Sequence, residues 1–267
     1  MKIKELLKTI DEIAPFSLAE EWDRCGLRLG SDEESVTGVA VSLDPSQETV
    51  KQTADLGFNV LLTHHPLAFR PLENLVCDRP DVRTAAEAFR RGINIVACHT
   101  NLDSARGGIN DTLAASAGLR SVEPLVPAVD GRGFGMGAVG LADARSCGDL
   151  CATVAAAWEL SGYRLLGKER SVGTIALCGG AGGDLWSAAL QKGAELYITA
   201  DMKYHECLEA LDAGLNLMIC DHGEMENSVL KPFAERLAQR TGLPVNFIDA
   251  VAPFKARGRW VAREIHV

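Results

Sequence analysis

No uninterrupted apolar run in the sequence approaches the roughly 18 residues that a bilayer-spanning helix needs, so no membrane span is expected. The start of the chain, Met1 to Leu7, mixes lysine, glutamate and apolar residues as the opening of an amphipathic helix and lacks the apolar core of a secretory signal. A cytoplasmic protein is the expectation. Basic tracts are missing too, and the formal net charge is −9. That balance argues against a chain whose main task is gripping nucleic-acid phosphates, and it is compatible with cation binding. None of the eight cysteines (Cys25, Cys77, Cys98, Cys147, Cys151, Cys178, Cys207 and Cys220) forms a CxxC pair, and most lie in apolar runs. Free, buried thiols are expected rather than a disulfide framework or a thiolate metal site. Low-complexity tracts and long linkers are also absent.

What is present is enough for a core. With 47% hydrophobic residues over 267 positions, the chain can build one large α/β domain or two small ones. Ile3, Leu6, Leu7, Ile10 and Ile13 recur at helical spacing until Pro15, and strands and helices then alternate nearly to the end, which is the pattern of α/β layering. The run Val36 to Leu43 reads as a strand. It leads into Asp44-Pro45-Ser46-Gln47, which reads as a helix start with Asp44 as N-cap.

The sequence also echoes itself. Gly38 to Asp44, Gly57 to His64 and Gly92 to His99 resemble in pattern and order Gly173 to Gly179, Gly193 to Ala200 and Gly214 to Asp221. Each half reads as strand, helix, strand, helix, strand, as an internal duplication would give. A stretch from Pro124 to Gly133, rich in Pro, Gly, Val and Ala, marks the boundary. Two similar α/β lobes over 1–124 and 125–249 are expected, with 250–267 returning as an edge strand.

Ligands in open α/β sheets bind beyond the carboxyl ends of strands, and three strand ends carry chemistry. The strand from Asn59 stops at His64-His65-Pro66, where the turn before proline lets both imidazoles converge. The strand from Ile93 ends in His99-Thr100-Asn101-Leu102-Asp103, with Asp103 as the candidate ligand and His99 as its neighbour. The strand from Leu215 ends in Asp221-His222-Gly223-Glu224-Met225-Glu226. Positions four apart share a helix face, so His222 and Glu226 can chelate together while Glu224 points elsewhere. These five ligands exceed what one tetrahedral ion needs, and a carboxylate can bridge two ions. The economical reading is two divalent ions, with zinc, iron, manganese or nickel all compatible with a nitrogen and oxygen donor set. Two other features rank lower. The run Cys178-Gly179-Gly180-Ala181-Gly182-Gly183 can cradle an anion or simply turn tightly, and His205, after Asp201, is a candidate general base or a structural residue.

Glu21-Trp22-Asp23-Arg24-Cys25-Gly26-Leu27, Leu61-Leu62-Thr63-His64-His65-Pro66, His99 to Asp103, Cys178-Gly179-Gly180 and Asp221 to Glu226 together resemble the ordered motifs of the NIF-three-like family, also catalogued as GTP cyclohydrolase I type 2. The resemblance implies a two-lobed α/β fold, a dinuclear metal centre between the lobes, and a toroidal homohexamer. It carries the metal ligands over to His64, His65, Asp103, His222 and Glu226. The sequence departs from the family at Asp221, where Gly is commoner, at Met225, and at the Asp201 segment, which often begins Gly-Glu. Two functions fit: a metal-dependent hydrolase acting on GTP or another phosphate- or purine-containing small molecule, with His99 and His205 moving protons, or a non-catalytic metal-binding scaffold.

Overall fold

The computed structural model describes residues 1–128 and 134–255. Among them the strands are β1 (Gly26–Leu29), β2 (Val39–Ser42), β3 (Val60–Thr63), β4 (Asn94–Ala97), β5 (Arg120–Pro127), β6 (Gly135–Ser146), β7 (Tyr163–Leu166), β8 (Ser171–Leu177), β9 (Leu196–Thr199), β10 (Asn216–Cys220) and β11 (Val245–Ile248). They form two mixed sheets, ordered β1-β4-β3-β2-β11 and β5-β6-β8-β9-β10-β7. The fold is therefore mixed α/β with two sheets.

Alternation along the buried strands explains how the sheets are held. Val39, Val41, Val60, Leu62 and Val96 of the first sheet share one continuous core with Ile175, Leu177, Ile198 and Met218 of the second. The intervening residues Ala40, Leu61 and Ile95 pack on the other face of the first sheet, and Ala176, Tyr197 and Leu217 on the other face of the second. Successive side chains of a strand point to opposite faces, so strands covered on both sides read as unbroken apolar runs. The helix Ile3–Ile13 lays Ile3, Leu6, Ile10 and Ile13 into the shared core. Its first turn is closed where Glu5 Oε2 accepts from the Lys2 amide at 2.7 Å.

The two sheets share a sub-pattern. In the first, β2, β3 and β4 are parallel neighbours and β1 runs antiparallel beside β4. In the second, β8, β9 and β10 are parallel neighbours and β7 runs antiparallel beside β10. The likeness extends to single residues. Gly30 (φ +114°), just after β1, and Gly167 (φ +118°), just after β7, each lie so close to Asn94 or Asn216 that a Cβ would overlap that asparagine's side-chain oxygen. Asn94 accepts from the Ser31 amide at 2.9 Å and Asn216 from the Lys168 amide at 3.1 Å.

Several sequence expectations meet a different structure. The boundary expected near 124 falls inside β5, which belongs to the second sheet. β11 comes from the chain's second half but pairs in parallel with β2 in the first sheet. The segment expected to return as an edge strand begins instead with a helical turn, Ala252–Lys255, and 256–267 lie outside the described residues. Asp44 is not the cap of the helix Gln47–Asp55: Ser46 Oγ accepts from the Thr49 amide at 3.1 Å. The shorter side chain two positions on takes the cap, which leaves the Asp44 carboxylate for another partner. All eight cysteines are free; Cys77 is exposed, Cys25 half-buried and the others buried. No helix among the described residues is long and apolar enough to cross a membrane.

Candidate metal site

The carboxyl ends of β3, β4 and β10 bring His64, His65, His99, Asp103, His222 and Glu226 to one place. β3 ends at Thr63, whose Oγ1 donates to the carbonyl of His65 at 2.7 Å and shapes the turn that carries both imidazoles. Asp103 closes the short helix Thr100–Asp103 after β4. His222 opens the helix His222–Asn227, capped by Asp221, whose Oδ1 accepts from the Glu224 amide at 2.9 Å. One turn on, Glu226 Oε2 lies 3.1 Å from His222 Nε2. Glu224, as its helical phase requires, turns away and accepts from the Ser161 amide.

Glu226 Oε2 is the hub of the cluster. It lies 3.0 Å from His65 Nε2 and 3.6 Å from His64 Nε2, and His64 Nε2 is in turn 3.6 Å from Asp103 Oδ1. Each of the three imidazoles is held from behind. His64 Nδ1 donates to the Cys98 carbonyl at 2.9 Å, His65 Nδ1 to Asp44 at 2.7 Å, and His222 Nδ1 to Asp201 at 2.8 Å. With Nδ1 engaged, each ring turns Nε2 inward as an acceptor, the arrangement that orients metal-ligating histidines. Four inward atoms are buried without a hydrogen-bond partner: His64 Nε2, Asp103 Oδ1, His222 Nε2 and Glu226 Oε2. Leaving so many polar atoms unsatisfied at one point is costly unless a cation satisfies them together. The residues thus fit a divalent ion, and the donor set of imidazole and carboxylate suits a borderline or hard one.

The charge balance agrees. Burial opposes the charged form of His65, yet Asp44 and Glu226 raise it to about 10. Burial likewise opposes His222, and Glu226 and Asp201 raise it to about 9. Burial pushes Asp103 up to about 7, aided by Glu226 and resisted by His64. Burial also works to raise Glu226, but the surrounding imidazoles hold its carboxyl well below the ordinary range. Without metal, protons on His65 and His222 supply positive charge beside the carboxylates.

This has a measurable consequence for chelated protein. His65 and His222 bind protons more tightly folded than unfolded, so their contribution is complete below about pH 6.5 and is lost as pH rises toward about 9 to 10. Asp103, raised to about 7, adds a loss of the same sign between about pH 4 and 7. Chelated protein is expected to melt about 5 °C or more lower at about pH 9 than at about pH 6.5. Metal, which displaces those protons, should raise the melting temperature more at the alkaline pH. A chelated melting temperature that climbs with pH over this range would show that His65 and His222 are not held protonated.

His99 occupies the rim. Its Nδ1 donates to Asp23 Oδ2 at 3.0 Å, and the same oxygen accepts from the Thr100 amide at 3.0 Å and the Thr100 hydroxyl at 2.6 Å. Burial works to raise Asp23, but these bonds hold its carboxyl far below the usual range. A cavity of about 360 Å³ opens here, lined by His99, Asp103, His222, Glu226, Trp22 and Gly179 among others. His205 is elsewhere: it is exposed on the helix Tyr204–Asp212, edge-on to Tyr204, and does not line this cavity. In the glycine-rich loop, Gly180 (φ +63°) presses its backbone against the cluster. Sequence reasoning did not find Asp23, Asp44 and Asp201 as supports of the imidazoles, nor Gly180 as a wall. The only signal was their position, each close to a strand end or a motif histidine.

In this mixed α/β protein the strand ends gather three imidazoles and two carboxylates round unsatisfied buried atoms, a donor set that a metal ion fits. The chain belongs to the Duf34/NIF3 family (NGG1p interacting factor 3), whose profile it matches over residues 1–253. It is 34% identical to a "GTP cyclohydrolase 1 type 2 homolog" of Lactococcus lactis, over 89% of this chain and 91% of that one. It is 31% identical to another protein of that name from Clostridium perfringens, over 96% of this chain and 99% of that one. Its fold resembles that of a Bacillus cereus protein related to NIF3, with a TM-score of 0.86 at 23% identity, over 94% of this chain and 96% of that one.

Proposed function

We propose that the protein holds two divalent ions, one on His64, Asp103 and Glu226 and one on His65, His222 and Glu226. With them it would act as a metal-dependent hydrolase of a phosphate- or purine-containing small molecule. The observation that carries this reading is the sharing of one buried carboxylate, Glu226, by two groups of three ligands, each with its ligand atoms within 4.8 Å of one another. The relatives' name points to GTP as the first substrate to try. The parallel strand order of the two sheets, with Gly30–Asn94 matched by Gly167–Asn216, supports a duplicated origin for two lobes that meet at this site. A homohexamer and a cytoplasmic setting belong to the same proposal, carried by family resemblance.

Two such ions would supply Lewis acidity and make water acidic enough to ionise near neutral pH. The chain's own residues do the rest. Asp23 fixes the proton of His99 on Nδ1, which leaves Nε2 free at the cavity rim to take a proton from substrate or water and later return it. Asp44 and Asp201 hold His65 and His222 in a single orientation. The cavity of about 360 Å³ beside Asp103, His222 and Glu226 gives a small molecule room next to the ligands, which favours catalysis over a closed scaffold. His205, exposed and off the cavity, has no part in this reading.

The test is metal content per chain by plasma mass spectrometry on protein purified without chelator, followed by a hydrolase screen on the same sample. Near two ions are expected, with turnover that His99→Gln lowers by about a hundredfold or more without loss of metal. Two ions and no turnover of any phosphate, purine or amide substrate would leave the scaffold reading in its place.

A further inference from the structure

We propose that Arg24, Arg28 and Arg70 form a phosphate-binding subsite on the flank of the histidine–carboxylate cluster, which holds the phosphate of a phosphorylated small molecule. The inference rests on the reading of the cluster as the site where that molecule reacts. The three residues line one cavity of about 130 Å³ together with Leu67, Ala68, Pro71 and Leu72.

Their grouping sets them apart: Arg83 and Arg164 likewise have no carboxylate within 4.0 Å and no guanidinium hydrogen bond among the described residues, but here three such residues line one cavity. The chain carries 36 acidic residues against 27 basic ones, so an arginine has carboxylates to choose from. Arg79, Arg90, Arg91, Arg120 and Arg240 all find one, in Asp81, Glu87, Asp143 and Glu12. Among the described residues, Arg24, Arg28 and Arg70 have no carboxylate within 4.0 Å, and their guanidinium groups donate no hydrogen bond. Bringing three unpaired guanidinium groups to one concavity of an acidic protein raises the local potential at an electrostatic cost, and an anion repays it. Each guanidinium offers a fork of donors. Together they outnumber what the two oxygens of a carboxylate can accept, whereas the several oxygens of a phosphate can take bonds from all three.

The placement connects this cavity to the cluster. Arg24 directly follows Asp23, the residue that holds His99, and its backbone amide donates to Asp23 Oδ1 at 2.7 Å. Arg70 follows Phe69, whose ring centre lies 5.6 Å from that of His99 and 6.3 Å from that of His65. Leu67 lines both this cavity and a neighbouring one of about 510 Å³ that reaches His65 and Asp44. A phosphate seated on the arginines therefore leaves the organic part of its molecule beside the exposed rings of Phe69 and Trp22, next to His99.

Pyrophosphate titrated calorimetrically into metal-loaded protein tests this, with the metal content of every sample measured. Arg28→Gln/Arg70→Gln is expected to bind pyrophosphate at least tenfold more weakly than wild type at unchanged metal content, and Arg28→Lys/Arg70→Lys to recover part of the loss. Three results would overturn the subsite: no binding by wild type, wild-type affinity in the Gln pair, or an altered oligomeric state with affinity intact. Glu226→Gln separates direct capture by the metals. If it abolishes binding while the Gln pair binds normally, pyrophosphate sits on the ions and the subsite is refuted. If the Gln pair loses binding but no phosphorylated compound is turned over, the subsite stands and the hydrolase reading falls.

Discussion

Glu226→Gln is expected to remove at least one divalent ion from every chain and to reduce any metal-dependent turnover by about a hundredfold or more. The side chain is almost fully buried, and its Oε2 approaches the Nε2 atoms of His64, His65 and His222 at 3.6, 3.0 and 3.1 Å. A carboxylate there satisfies two ligand groups at once. A neutral amide of nearly the same shape offers one weaker oxygen and turns an N–H pair toward atoms that should accept a cation. A second effect distinguishes loss of this role from simple misfolding. Glu226 helps raise both His65 and His222, so the chelated variant should lose less stability than chelated wild type as pH rises from about 6.5 to about 9. Mass spectrometry of the purified variant and paired melting curves read out both effects. Full retention of two ions would refute the assigned role of Glu226.

The residues that meet at this cluster differ in how plainly the sequence displayed them. His222 and Glu226 were legible because helical spacing alone puts positions four apart on one face, whatever surrounds them. His64 and His65 were legible because an apolar strand ending in two imidazoles before proline has little reason to exist on a solvated surface. Asp44 was misread for an equally local reason. Before Pro45 it has the form of a helix cap, and only the tertiary approach of β3 to β2 shows that it accepts from His65. Asp23 and Asp201 were hidden likewise, since each supports an imidazole that is remote in sequence.

His205 was a candidate because it lies just past a strand end, but the helix that starts at Tyr204 sends it outward. The phase of a helix's first turn cannot be fixed without its cap. The repeated strands were visible as pattern, while the crossing of β11 to the first sheet was not. Its edge position depends on which sheet has an open partner, and no residue of Val245–Ile248 states that.

Gly180 supplies the other large expected effect. Its φ of +63° lies in the left-handed region, where an added side chain costs about 1 to 2 kcal/mol. A Cβ there would also stand 2.2 Å from Glu226 Oε1 and 3.0 Å from His222 Nε2. Neither neighbour is free to yield: His222 is tied to Asp201 and Glu226 is enclosed by three imidazoles. Overpacking of that kind adds about 1 to 3 kcal/mol. Gly180→Ala is therefore expected to destabilise the protein by about 2 to 5 kcal/mol and to weaken metal binding, although no ligand has been changed. Gly193→Ala is the matched control. It too has a positive φ, +75°, but nothing lies within 4 Å of where its Cβ would stand, so it should cost only the backbone strain and leave metal content at the wild-type value. Urea unfolding with metal analysis compares the two. Equal losses of stability and equal metal content in both variants would mean that Gly180 serves the turn alone. A larger loss with depleted metal in Gly180→Ala would mean that its bare backbone is part of how the cluster is built.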